Sequence, residues 1–90
     1  MSTEQGEIIQ LRESLRLDRA GDWDAAHRIV QRLNSIEAYR IHAYLHREEG
    51  DLNNAGYWYR RANIPMYEGP LAKEWEMLSA LVNAEDSPQR

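Results

Sequence analysis

The chain carries one pattern twice, in similar rather than identical residues. Gly21-Asp22-Trp23-Asp24-Ala25-Ala26-His27-Arg28-Ile29-Val30 is followed 29 residues later by Gly50-Asp51-Leu52-Asn53-Asn54-Ala55-Gly56-Tyr57-Trp58-Tyr59. A recurring unit of this length is a supersecondary element that cannot bury its apolar face alone, so its copies stack. Stacked helical hairpins are therefore expected in preference to a single catalytic cradle. Sustained period-two alternation is missing, and the only prolines are Pro65, Pro70 and Pro88. Both features favour an all-α fold.

Five helices are predicted. The first runs from about Glu4 to Arg19, with Ile8, Leu11 and Leu15 on one face, and ends at Gly21. Asp22 caps a second helix that reaches Leu33. Ser35 caps a third, which continues to Glu49 and stops at Gly50. Asp51 caps a fourth, ending near Asn63. Residues 64–69 form a loop, Pro70 is the first residue of a fifth helix to Asn83, and residues 84–90 are a frayed tail. The single domain thus divides into helix pairs 4–33 and 36–63, a C-terminal helix 70–83 and the tail 84–90.

On a wheel of 100° per residue, Trp23, Ala26, Ile29, Val30 and Leu33 share an arc. Leu52, Ala55, Trp58, Tyr59 and Ala62 occupy the matching arc of the fourth helix. Ala26 and Ala55 are expected where the paired helices approach most closely.

These residues carry a resemblance. Tyr39, Ala43, Gly50-Asp51, Ala55, Tyr59 and Ala62 match the tetratricopeptide (Sel1-like) helix-pair pattern, with His42 and His46 where that family has leucine and tyrosine. Ser14, Leu17, Gly21-Asp22, Ala26 and Val30 match it in the first unit, where Gln10 and Glu13 depart from it. The likeness spans roughly residues 4–63. The run from His42 to Asp51 and on to Ala62 also resembles small uncharacterised bacterial proteins. The family resemblance implies two antiparallel helix pairs stacked in a right-handed α-α superhelix. It also implies ligands lying against the first helix of each pair. That face of the third helix presents Glu37, Arg40, Tyr44, Arg47 and Glu48.

Composition narrows the function classes. Fifteen acidic against eleven basic residues leave a net charge of −4, which argues against a phosphate-gripping nucleic-acid binder. No apolar run approaches the roughly 20 residues that span a bilayer, and the polar, acidic start is unlike a signal peptide. The absence of cysteine fits a reducing cytoplasm.

No phosphate loop, nucleophile setting or His-Glu-x-x-His motif is present, so an enzyme is not expected. His42 and His46 are one helical turn apart, a spacing able to place two imidazoles on one metal. A third ligand is not fixed by the sequence. His42 is therefore expected as a neutral core histidine bonded to a tyrosine hydroxyl or backbone carbonyl, and no metal or cofactor is assigned. Asp24-x-x-His27 imitates half of a di-iron motif that the second unit lacks, having Asn53 and Gly56 there. His27 is accordingly read as a boundary residue.

The surfaces suggest a non-catalytic protein- or peptide-binding or oligomerisation module. Arg40, Tyr44 and Arg47 are the leading contact residues, and Tyr57, Arg60 and Arg61 the second group. Ile8, Leu11 and Leu15, with Leu71, Trp75 and Leu78 of the fifth helix, form a dimer or capping surface. The fifth helix is expected to cap the fourth, which would leave the first open and make a homodimer expected; the competing placement has it cover the aliphatics of the first. The alternative is a small-molecule or metal-binding sensor built around His42 and His46.

Overall fold

A computed structural model describes residues 3–84. Its helices are α1 (Thr3–Arg19), α2 (Trp23–Val30), α3 (Ile36–Glu48), α4 (Leu52–Arg61) and α5 (Leu71–Asn83). No strand occurs among the described residues, so the all-α expectation holds. The expected frayed tail lies outside the described residues beyond Ala84. No described helix is long and apolar enough to cross a membrane.

The duplicated Gly-Asp pairs make the turns. Gly21 and Gly50 adopt φ of 92° and 90°, a left-handed conformation that costs glycine little. The following amides bond back to the preceding helix, Asp22 to the Leu17 carbonyl and Asp51 to the His46 carbonyl, both at 2.9 Å. The same aspartates then cap the next helices, accepting from the amides of Ala25 at 3.1 Å and Asn54 at 3.2 Å. Each pair thus stops one helix and starts another within a few residues, and α1 folds onto α2 as α3 folds onto α4. Ser35 caps α3, accepting from the Ala38 amide at 3.1 Å. Pro70 sits just before α5 rather than as its first residue.

Two helices end earlier than the apolar pattern suggested. Beyond Val30 and Arg61 the chain tightens into three-residue hydrogen bonds, Leu33 to Val30 at 3.0 Å and Asn63 to Arg60 at 2.9 Å, a common way for a last turn to close.

Small residues mark the close approaches. Ala26 and Ala55 are fully buried. The equally buried Ser14 donates its hydroxyl to the Ala26 carbonyl at 3.0 Å, drawing α1 against α2. Ala43, Ala55 and Tyr59 form the core between α3 and α4. Leu52 departs from expectation and is 56% exposed. Its counterpart Trp23 reaches forward into the second helix pair, donating its indole N–H to the Leu45 carbonyl at 2.8 Å. No third pair follows α4 among the described residues for Leu52 to reach.

The largest correction concerns α5. It does not cap α4 but lies back across α3 and α1. Leu78 and Val82 join Leu11, Leu15, Ile41 and Tyr44 in one buried cluster. Two side chains stitch this contact, Trp75 donating to the Leu15 carbonyl at 3.2 Å and Arg12 to the Val82 carbonyl at 3.0 Å. Glu74 enters the interior with 4% exposure. It accepts from Arg47 at 2.8 Å and from the Tyr59 hydroxyl at 2.5 Å. Arg47 also donates to the Gly69 carbonyl, which fastens the loop ahead of α5. Ile8 packs partly buried against the same core, while Leu71 stays 37% exposed.

This placement overturns the leading contact surface. Tyr44 is buried, Arg47 is paired with Glu74, and Arg40 is half-buried beside Ile64, Met66 and Tyr67. The bare aliphatics of α1 that argued for a homodimer are covered by α5.

Replacing Glu74 with Ala leaves the Arg47 guanidinium buried without its counter-charge. We expect a loss of about 3–5 kcal/mol, measured by urea unfolding. Ala26→Leu should cost roughly 1–3 kcal/mol through overpacking in the same assay.

Candidate functional site

The chain has three histidines, and the fold collects all of them. His27 follows the buried Ala26 on α2, so it stands at the edge of the seam with α3. His42 and His46 stand one turn apart on α3 and face the same seam. One ring nitrogen from each lies within 4.8 Å of the other two. His27 Nε2 and His42 Nε2 are 3.0 Å apart. The ring centroids are 4.7 Å apart for His27 and His42, 5.1 Å for His27 and His46, and 5.0 Å for His42 and His46.

Two tryptophans bracket the cluster. Trp23 stacks on His27 at 4.8 Å with 9° between planes. Trp58 stacks on His42 at 3.9 Å and 14°. Trp23 also meets His46 edge-on at 5.8 Å. These contacts restrict ring rotation and keep water from two sides. His46 Nδ1 lies 2.8 Å from Glu49 Oε2. An ionised carboxylate only accepts, so Nδ1 carries a hydrogen and donates it to Glu49.

Burial sets the charge state. His42 is 4% exposed and His46 6%, whereas His27 is half-buried. Desolvation, reinforced by His27 and His46, pushes the His42 pKa down to about 3. His27 is also lowered, first by burial and then by His46, against opposing pulls from Glu49 and Asp24. At neutral pH these two rings are therefore uncharged, and their contact is a hydrogen bond in which one Nε2 donates and the other accepts. His42 is a neutral core histidine as expected, but its partner is His27 rather than a tyrosine hydroxyl or backbone carbonyl.

The remaining candidates divide. Arg61 donates to the hydroxyls of Tyr57 and Tyr39, both at 3.1 Å. Its guanidinium also lies over the rings of Tyr39 at 4.8 Å and Trp58 at 5.2 Å. Tyr57 and Arg61 thus form one preorganised exposed patch. Arg60 lies apart, with Asn63, Ile64 and Pro65. Asp24 is exposed and does not join the histidines, so the di-iron half-motif has no counterpart here.

No family model, curated protein or solved structure matches the chain. The chemistry of the site rests on its own geometry.

His27 is the member of the cluster that the sequence did not place beside His42 and His46. Its signal was faint: an aromatic four residues earlier, Trp23, and the replacement of His27 by Gly56 in the second copy. Whether it meets α3 depends on how the two pairs pack, which no local spacing records.

The lowered His42 pKa carries a sign. Below pH ~6.5 the unfolded chain takes up a proton that the native imidazole refuses. Stability should therefore fall on acidification from about 6.5 toward 3, by at most about 1.4 kcal/mol per pH unit for this residue, and this group adds nothing above 6.5. Urea titrations at pH 7 and pH 5 should show the loss in the wild type and a smaller one in His42→Gln.

Proposed function

We propose that the chain is a small non-catalytic binding module, sensor-like in design, whose working site is the three-histidine cluster between its helix pairs. The observation that carries this reading is that all three histidines, from both pairs, converge on one seam with a ring nitrogen of each within 4.8 Å of the other two. The groove that a helical-repeat protein would offer to a peptide is filled here by α5, which weakens the competing assignment. A ligand touching His27 on α2 and His42 and His46 on α3 bridges the two pairs. Its occupancy is then felt as stability of the whole domain, by the linkage that favours any state able to bind. A cytoplasmic setting fits the cysteine-free composition.

A thermal-shift panel of zinc, nickel, phosphate and acetate tests the reading. At least one probe should raise the melting temperature of the wild type and leave His27→Gln unmoved. A panel inert on the wild type counts against the seam as a working site.

A second reading keeps a protein or peptide partner, at Tyr57 and Arg61 instead of the α3 face. The exposed Arg61 guanidinium, held over three aromatic rings, suits an acidic or aromatic partner because it is already ordered before binding. Arg61→Ala should weaken capture of such a partner without moving the thermal-shift response at the seam.

A further inference from the structure

We propose that the cluster is a site for one divalent transition-metal ion of the zinc type. His27, His42 and His46 supply the ligands, Glu49 positions His46, and the fourth coordination position is left to an exchangeable small ligand. This rests on the seam reading above and names its ligand.

The donor set selects the ion class. Three imidazoles without an oxygen or sulfur donor suit zinc, copper, nickel or cobalt, whereas calcium and magnesium demand shells of oxygen. The dimensions suit a small ion. Metal–nitrogen bonds of about 2.0–2.1 Å in a tetrahedron separate neighbouring nitrogens by about 3.3 Å. The 3.0 Å between His27 and His42 then needs to open by only a few tenths of an ångström. The His46 nitrogen, within 4.8 Å of the other two, closes on them, and His27 can slide in the plane of its Trp23 stack to meet the ion.

The surroundings match what a ligating histidine requires. A metal-bound imidazole is usually oriented by a carboxylate on its other nitrogen. Glu49 holds His46 Nδ1 in that way at 2.8 Å, which leaves Nε2 as the nitrogen to meet the ion. The stacked tryptophans hold His27 and His42 in their planes. On loading, the hydrogen shared between the two Nε2 atoms relocates to Nδ1 of the donating ring, a change of tautomer, and both Nε2 lone pairs become available.

No fourth histidine, cysteine or carboxylate joins the three among the described residues. A three-histidine site of this kind keeps a position for water or a small anion. The partly exposed His27 side is where such a ligand would reach the ion. His46, Glu49 and Asp51 form an overlapping group with two exposed acids, and the experiment must separate the two.

Zinc calorimetry and the visible spectrum of the cobalt-loaded protein test the proposal. The wild type should take up one ion per folded chain and show tetrahedral cobalt bands that shift on addition of azide. His27→Gln should keep its helical circular dichroism and lose the bands. Glu49→Gln should bind roughly 10–100-fold more weakly. Asp51→Asn, which preserves a helix cap, should bind as the wild type does. Cobalt bands that persist in His27→Gln, or that vanish in Asp51→Asn, would place the ion at the overlapping acidic group and overturn the assignment. Bands indifferent to azide would overturn the open fourth position. If zinc and cobalt are inert while phosphate or acetate protects the wild type but not His27→Gln, the metal assignment falls and the seam reading stands. If no probe acts through His27, both fall.

Discussion

The Glu74 carboxylate sits inside the molecule between Arg47 and Tyr59. A carboxylate removed from water is tolerable only when charge and hydrogen bonds replace its hydration. Arg47 and Tyr59 meet that demand from α3 and α4, and α5 lies where both reach it. The same guanidinium holds the Gly69 carbonyl, so the loop and the helix are located together. With α5 so placed, Leu78 and Val82 complete the core begun by Leu11 and Leu15. The α3 face around Tyr44 closes as a consequence. The Arg47–Glu74 pair and the apolar contacts of Leu78 and Val82 thus act together to finish the domain and withdraw this surface from solvent.

The two copies of the repeat look alike and work differently. Trp23 and His27 of the first copy reach into the second helix pair, toward Leu45, His42 and His46. Their counterparts Leu52 and Gly56 face no such neighbour, and Leu52 is left to solvent. The histidine site is thus a product of stacking order. It forms where the second helix of one unit meets the first helix of the next, and this chain offers that junction once among its described residues.

Much of the architecture was legible locally. Glycines in the left-handed region followed by capping aspartates are short-range signals, and they located the turns to within a residue. Ala26 and Ala55 were legible as close-approach points because a helical face has a fixed period and only a small side chain fits between touching helices. Helix ends at Val30 and Arg61 were less legible, since tightening of a last turn depends on what the following loop packs against. Glu74 was missed because a carboxylate beside an apolar stripe ordinarily faces water. Its burial follows from partners 15 and 27 residues away in the chain.

The amino-acid order by itself determined five helices, their pairing into two hairpins and the small-residue contacts within them, because these depend on backbone preferences and helical period acting over a few residues. The tertiary structure alone decided where α5 lies, which apolar and charged side chains are covered, and that His27 meets His42 and His46. Those outcomes depend on distances between helices. Such distances are set by the volume and charge of side chains far apart in sequence, and no local pattern encodes them.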